Sequence, residues 1–148
     1  MHTALPKQTL EYSHRDQAQY IALACLASLV LIIARVLQPS ANGVGTHQQL
    51  GLPPCFFLKL TGIPCPGCGL TTSFAHTVRF HFYEAFITQP FGLVACLITA
   101  ALIPLCCLLM YRRVPWLKTL TMRGADIFLY VMIVLFLAGW GYKIFAMW

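Results

Sequence analysis

Two cysteines separated by Pro-Gly carry the chemistry of this chain. Cys65 and Cys68 stand in the run Gly-Ile-Pro-Cys-Pro-Gly-Cys-Gly-Leu-Thr-Thr that ends at Thr72, and Cys55 lies ten residues before Cys65. Three chemistries fit this spacing. As a dithiol or disulfide, the pair would exchange electrons, because Cys68 beside a helix N-terminus has its thiolate stabilised by unpaired amides. As a metal knuckle, the turn would present two thiolates to one ion, with Gly69 permitting the tight bend. A closed tetrahedral site then needs two more ligands. Cys55 and His76 are the candidates, since Cys68, Thr72 and His76 share a face at i, i+4 and i+8 if the helix begins early enough. As a structural staple, the cysteines would only shape a loop facing an oxidising compartment.

The other polar residues point to ordinary roles. Cys25, Cys96, Cys106 and Cys107 lie in apolar runs, where cysteine packs as a small hydrophobe. His76 and His81 read as partly solvated hydrogen-bonding residues. Glu84 is the only acidic residue between Asp16 and Asp126, so the paired carboxylates of glycosidases and two-metal enzymes are absent from the sequence. There is no nucleophile elbow and no phosphate-cradling glycine loop. Phe56, Phe57, Phe80, Phe82, Tyr83 and Phe86 read as membrane-interface aromatics, with quinone or pigment contact as a second reading.

The elements that must position these residues follow from composition. The chain has 148 residues, 59% hydrophobic and 9% charged, with mean hydropathy +0.73, against about 25% charged in an ordinary soluble domain. A soluble enzyme is excluded. Three apolar runs, 18–37, 91–111 and 127–148, are each long enough to cross about 30 Å of hydrocarbon. The first is preceded by a tail, 1–17, containing Glu11 and Asp16, and no small-x-small cleavage site follows it, which argues against a removed signal peptide. Pro90 opens the second run and Pro104 should kink it, leaving the Ala100 carbonyl without its donor. Asp126 is the expected N-cap of the third run. Trp140, Tyr142 and Trp148 are its interfacial anchors, and Lys143 is expected to snorkel.

Charge sets the expected orientation. Lys7, Arg15, Arg112, Arg113, Lys118 and Arg123 fall on one side of a three-span chain. Lys59 and Arg79 fall in the long loop on the other, with Arg35 and Lys143 at span ends. Positively charged short loops stay in the cytoplasm, so the N-terminus is expected inside and the cysteine loop outside. The net charge of +6 is accounted for by this bias and gives no reason to expect nucleic-acid binding. Within the loop, Pro39–Gln49 reads as a flexible polar link. Cys55–Leu60 is too short to span and should lie at the interface. A short helix is expected from Gly69–Thr71 to about Val78, with Thr71, Thr72 and Ser73 competent as caps. Phe82–Ile87 reads as an aromatic interfacial turn or helix leading into Pro90.

The run from Cys55 through Lys59, Thr61, Gly62, Pro64, Cys65, Pro66, Gly67, Cys68 and Gly69 to Thr71, followed by a short helix and Gln89-Pro90, resembles domain-of-unknown-function family 2752. That family comprises small bacterial membrane proteins with a Cys-Pro-x-Cys-Gly-x-Thr loop between hydrophobic spans. The resemblance is close over about Leu52–Pro90; Thr72 stands where members usually have Arg, and Gln89 where Asn is common. It implies a bacterial membrane protein and supplies no activity.

The expected architecture is an all-α membrane protein: three transmembrane helices in one domain, 18–148, with a cysteine-containing helix-loop cap at 50–89. Cys55, Cys65, Cys68, Gly69 and Thr71 are its expected disulfide or structural residues. The expected role is that of a non-catalytic accessory or assembly subunit in the bacterial inner membrane, contacting lipid and other integral membrane proteins. The spans offer no line of ionisable residues for transport. The alternatives are a thiol-disulfide oxidoreductase working through Cys65 and Cys68, ranked lower because no second Cys-x-x-Cys exists, and a structural metal-knuckle protein. No cofactor is expected in the primary reading; zinc, on Cys55, Cys65, Cys68 and His76, is the alternative.

Overall fold

The computed structural model describes residues 12–116, 119 and 124–147, which form helices and no strands. Three helices are long and apolar enough to cross a membrane: α1 (His14–Val36), α5 (Pro90–Tyr111) and α6 (Ala125–Met147). Between α1 and α5 lie a 3-10 turn (Thr46–Leu50) and three short helices, α2 (Phe56–Thr61), α3 (Leu70–Thr77) and α4 (Phe82–Thr88). The protein is therefore a multi-pass membrane protein with a helical cap. Lys7, Lys118, Arg123 and Trp148, and most of the tail before α1, lie outside the described residues.

Helix α1 begins four residues before the expected span, within the tail assigned to 1–17. Ser13 and Asp16 form a capping box: Ser13 N donates to Asp16 Oδ2 at 2.8 Å and Asp16 N to Ser13 Oγ at 3.4 Å. The same carboxylate accepts from Trp116 N at 3.0 Å, and Tyr20 OH meets Val114 O at 3.1 Å and Thr119 Oγ1 at 2.8 Å. These contacts tie the start of α1 to the α5–α6 connection. Helix α5 has Pro90 in its first turn and continues through Pro104. It ends in a Schellman cap, with Arg113 N bonding Met110 O, Val114 N bonding Leu109 O, and Arg113 at φ 49°. Asp126 is not the N-cap of α6; it lies inside the first turn, which already closes through Phe128 N to Gly124 O at 2.9 Å.

At the other end, α3 is packed against α1, α4 and α5. Gly92 makes this approach possible, since a Cβ there would stand 2.7 Å from Ser73 Cβ. Ser73 Oγ in turn shares its proton between Ala85 O and Gln89 O, joining α3 to the middle and the C-cap of α4. Arg79 reaches back to α1, donating to Ala34 O at 3.2 Å and Arg35 O at 2.6 Å, and to Ala75 O at 2.7 Å. A cation on the last carbonyls of a helix satisfies orphan acceptors and the negative end of its dipole. Around this end Phe56, Leu60, Phe80, Tyr83 and Phe86 are exposed, as an interfacial belt requires.

Two expectations are corrected here. Pro39–Gln49 is not a free link. Gln38 and Gln49 pair reciprocally, Ser40 N donates to Thr46 Oγ1, and fully buried Thr46 meets Thr72 Oγ1 at 2.8 Å. Lys143 does not snorkel: it is 5% exposed, with Nζ donating to Thr88 O at 3.0 Å and Gly43 O at 3.4 Å. Both corrections have one cause, a set of buried carbonyls and hydroxyls at this end that need partners.

Candidate metal centre

The Pro-Gly insert folds as two successive turns, with Cys68 N bonding Cys65 O at 2.9 Å and Leu70 N bonding Gly67 O at 3.1 Å. Proline supplies its fixed φ and Gly69 a φ of 90° at the N-cap of α3. Gly69 is also required by space. A Cβ there would lie 2.9 Å from Gly43 O and 3.3 Å from both Lys143 Nζ and Thr88 O. The expected hydroxyl caps are thus not used: Thr72 and Ser73 are buried and bonded elsewhere, and Thr71 lies at the partly exposed surface of α3. The loop is pinned from outside by Trp140 Nε1 on Pro64 O at 2.8 Å and by Gln89 Nε2 on Pro66 O at 3.5 Å.

Cys55, the residue preceding α2, completes a cluster. The sulfurs of Cys55, Cys65 and Cys68 all lie within 4.8 Å of one another, and those of Cys65 and Cys68 are 3.2 Å apart. Tetrahedral thiolates on one zinc ion, with bonds of about 2.3 Å, are spaced by about 3.8 Å, between these two values. The donor set therefore fits a soft divalent cation with three sulfur ligands. His76 does not join it. It sits at the far end of α3 with its ring 6.1 Å from that of His81, because α3 starts at Leu70 and leaves Cys68 outside the helical face on which the i, i+4, i+8 register depends. Burial and His81 lower the His76 pKa, and its Nδ1 has no partner among the described residues.

The three thiols differ in environment. The amides of Leu58 and Phe57 at the head of α2 face Cys55 and hold its pKa below the usual thiol range. Burial, with the neighbouring Cys65 and Cys55 sulfurs, pushes Cys68 up to about 12. A cation held by these sulfurs would displace such a proton. Beside Cys55 and Cys68 opens a cavity of about 170 Å³, which His47 and Lys59 also line. His47, Gln89, Trp140 and Lys143 were not legible as site residues, since all four are brought to the loop by packing from distant parts of the chain.

The stretch that builds this centre and enters α5 has known relatives. Residues 55–103 match the family model of a protein of unknown function, DUF2752. The match begins at Cys55 itself and runs to Ile103, past the Gln89-Pro90 entry, in agreement with the resemblance carried by the cysteine loop. No curated protein and no solved structure matches the chain. The DUF2752 segment thus contains all three clustered cysteines, while Thr46, Trp140 and Lys143, which brace them, lie outside it.

Proposed function

We propose that this protein is a small inner-membrane protein of bacterial type whose Cys55, Cys65 and Cys68 bind one soft divalent cation, with zinc as the ion of choice, as a structural knuckle. The convergence of three sulfurs within 4.8 Å carries this reading, because a disulfide between any two leaves the third without a role. In this reading the ion joins α2 to the start of α3 and so fixes the cap over the three spans. The N-terminus is cytoplasmic and the cysteine loop periplasmic, a reading supported by exposed Arg15, Arg112 and Arg113 at the opposite end. The role is that of a non-catalytic accessory or assembly subunit packing against another integral membrane protein. Its support is α6, whose first half exposes Ile127, Phe128, Leu129, Tyr130, Val131 and Val134, while Phe136 packs edge-on to Phe91 of α5.

A second reading, thiol-disulfide exchange, is favoured by the Cys65–Cys68 contact of 3.2 Å. Metal analysis with thiol counting on the detergent-purified protein separates the two. The knuckle predicts one ion per chain and three thiols that alkylate only after chelation. A metal-free protein in which a single Cys65→Ser or Cys68→Ser variant traps a partner as a mixed disulfide would replace it with the oxidoreductase.

A further inference from the structure

Lys143 is buried in the apolar end of a membrane-spanning helix, and among the described residues no carboxylate bonds to it. Its ammonium carries three donors. Two bond the carbonyls of Thr88 and Gly43, and the nitrogen lies 3.3 Å from where a Cβ on Gly69 would stand. Gly69 follows Cys68 directly and lines one cavity with it and with Cys55. A buried cation without a counter-charge is among the costliest things a fold can hold. Three thiolates around a divalent ion leave one net negative charge, equally costly if buried alone.

We propose that Lys143 is the counter-charge of the Cys55–Cys65–Cys68 centre, a positioning residue through which metal occupancy is coupled to the docking of α6. The inference rests on the metal reading given above. It accounts for a lysine so far from water, for the glycine at position 69 that lets the ammonium approach, and for how a centre inside the cap communicates with the last span. When the centre is filled, the buried ammonium stands on the side of its buried ligand, Cys68, with Cys55 and Cys65 half-exposed. When it is empty, the ammonium is held by the carbonyls of Thr88 and Gly43 alone.

The test varies the charge of the filled centre. Cobalt(II) and zinc(II) bound by three thiolates leave a negative centre. Arsenite, As(OH)3, reacts with three thiols to form three As–S bonds and release three waters, giving a neutral centre with no change of oxidation state. The full chain in detergent, K143Q, which keeps a donor but loses the charge, and K143M are each titrated with cobalt(II) by thiolate-to-metal absorbance, with zinc(II) by competition, and with arsenite. Both variants should bind cobalt and zinc about 10–100-fold more weakly than the parent and arsenite as tightly as the parent. The metal-free form of K143Q, which keeps a donor for the carbonyls of Thr88 and Gly43, should be at least as stable as the parent's, since an unpaired buried charge has been removed, whereas K143M leaves those carbonyls without a donor and should be less stable. Unchanged cobalt and zinc affinity in both variants, or parallel losses for the metals and arsenite, would show that Lys143 only caps carbonyls and would overturn the proposal. A folded parent that binds neither cobalt nor zinc fails the metal reading itself, a result seen before any variant is made.

Discussion

The two ends of the molecule treat their cations differently. At the cysteine end Arg79 and Lys143 are turned inward onto backbone carbonyls, Arg79 on those of Ala34, Arg35 and Ala75 and Lys143 on those of Thr88 and Gly43. At the opposite end Arg15, Arg112 and Arg113 are exposed, and the contacts that close the bundle come from neutral Tyr20 and from Asp16. A raw count of basic residues therefore hides a difference in how they are used. At the cysteine end two of the four basic residues are structural donors, while Arg15, Arg112 and Arg113 stand exposed at the other. The same contrast says where the stability lies: a close-packed, polar, glycine-dependent cap at one end, and a lighter latch at the other.

The most severe test of this contrast is Gly69→Val. The substitution places a β-branched residue at φ 90° with its Cβ 2.9 Å from a backbone oxygen. The left-handed conformation and the overpacking together should cost about 3 kcal/mol or more, read as a lowered unfolding midpoint in detergent. A neutral result would mean that the cap is not close-packed there. Arg79→Ala comes next, with an expected loss of about 1.5–3 kcal/mol for charged hydrogen bonds. Arg79→Lys should recover only part of this, because an ammonium cannot reproduce the fork that reaches α1 and α3 together. Tyr20→Phe at the latch should cost about 1 kcal/mol; a loss equal to that of Arg79→Ala would erase the distinction between the ends.

The smallest expected effect is on pH dependence, measured in the reduced, metal-free protein. Cys55, held low by helix amides, should alkylate at lower pH than Cys68, whose pKa is pushed up to about 12 by burial. For Cys68 the folded value lies above the unfolded one. Its contribution to stability is therefore fully present below the ordinary thiol pKa of about 8.5 and lost as pH rises toward about 12. A stability profile flat across that alkaline window, or Cys68 alkylating first, would contradict the burial assigned to it.

Local features were read correctly where local physics decides them. Unbroken apolar length marks α1, α5 and α6, and the Pro-Gly punctuation around Cys65 and Cys68 leaves α3 only one place to start. What escaped depends on partners far along the chain. Ser13-x-x-Asp16 carries a capping-box signature that extends α1, yet the same carboxylate also serves Trp116, which no local pattern announces. Pro39–Gln49 has the composition of a loose link and becomes fixed because Thr46 meets Thr72 and Gly43 meets Lys143. Lys143 near a helix end ordinarily reaches for water, and here is stopped by the cap lying over it. The three-cysteine cluster is half visible in the sequence: Cys55 stands as a candidate beside Cys65 and Cys68, while His76, the alternative fourth ligand, depends on a helix register from Cys68, two residues before α3 begins.

X-ray absorption at the zinc edge of the purified, zinc-loaded protein tests the three-thiolate centre most directly. The predicted spectrum has three sulfur scatterers at about 2.3 Å and one lighter atom completing a tetrahedron, with the sulfur count falling to two in Cys55→Ser. A first shell of nitrogen and oxygen alone, or a sulfur count unchanged by Cys55→Ser, would contradict it.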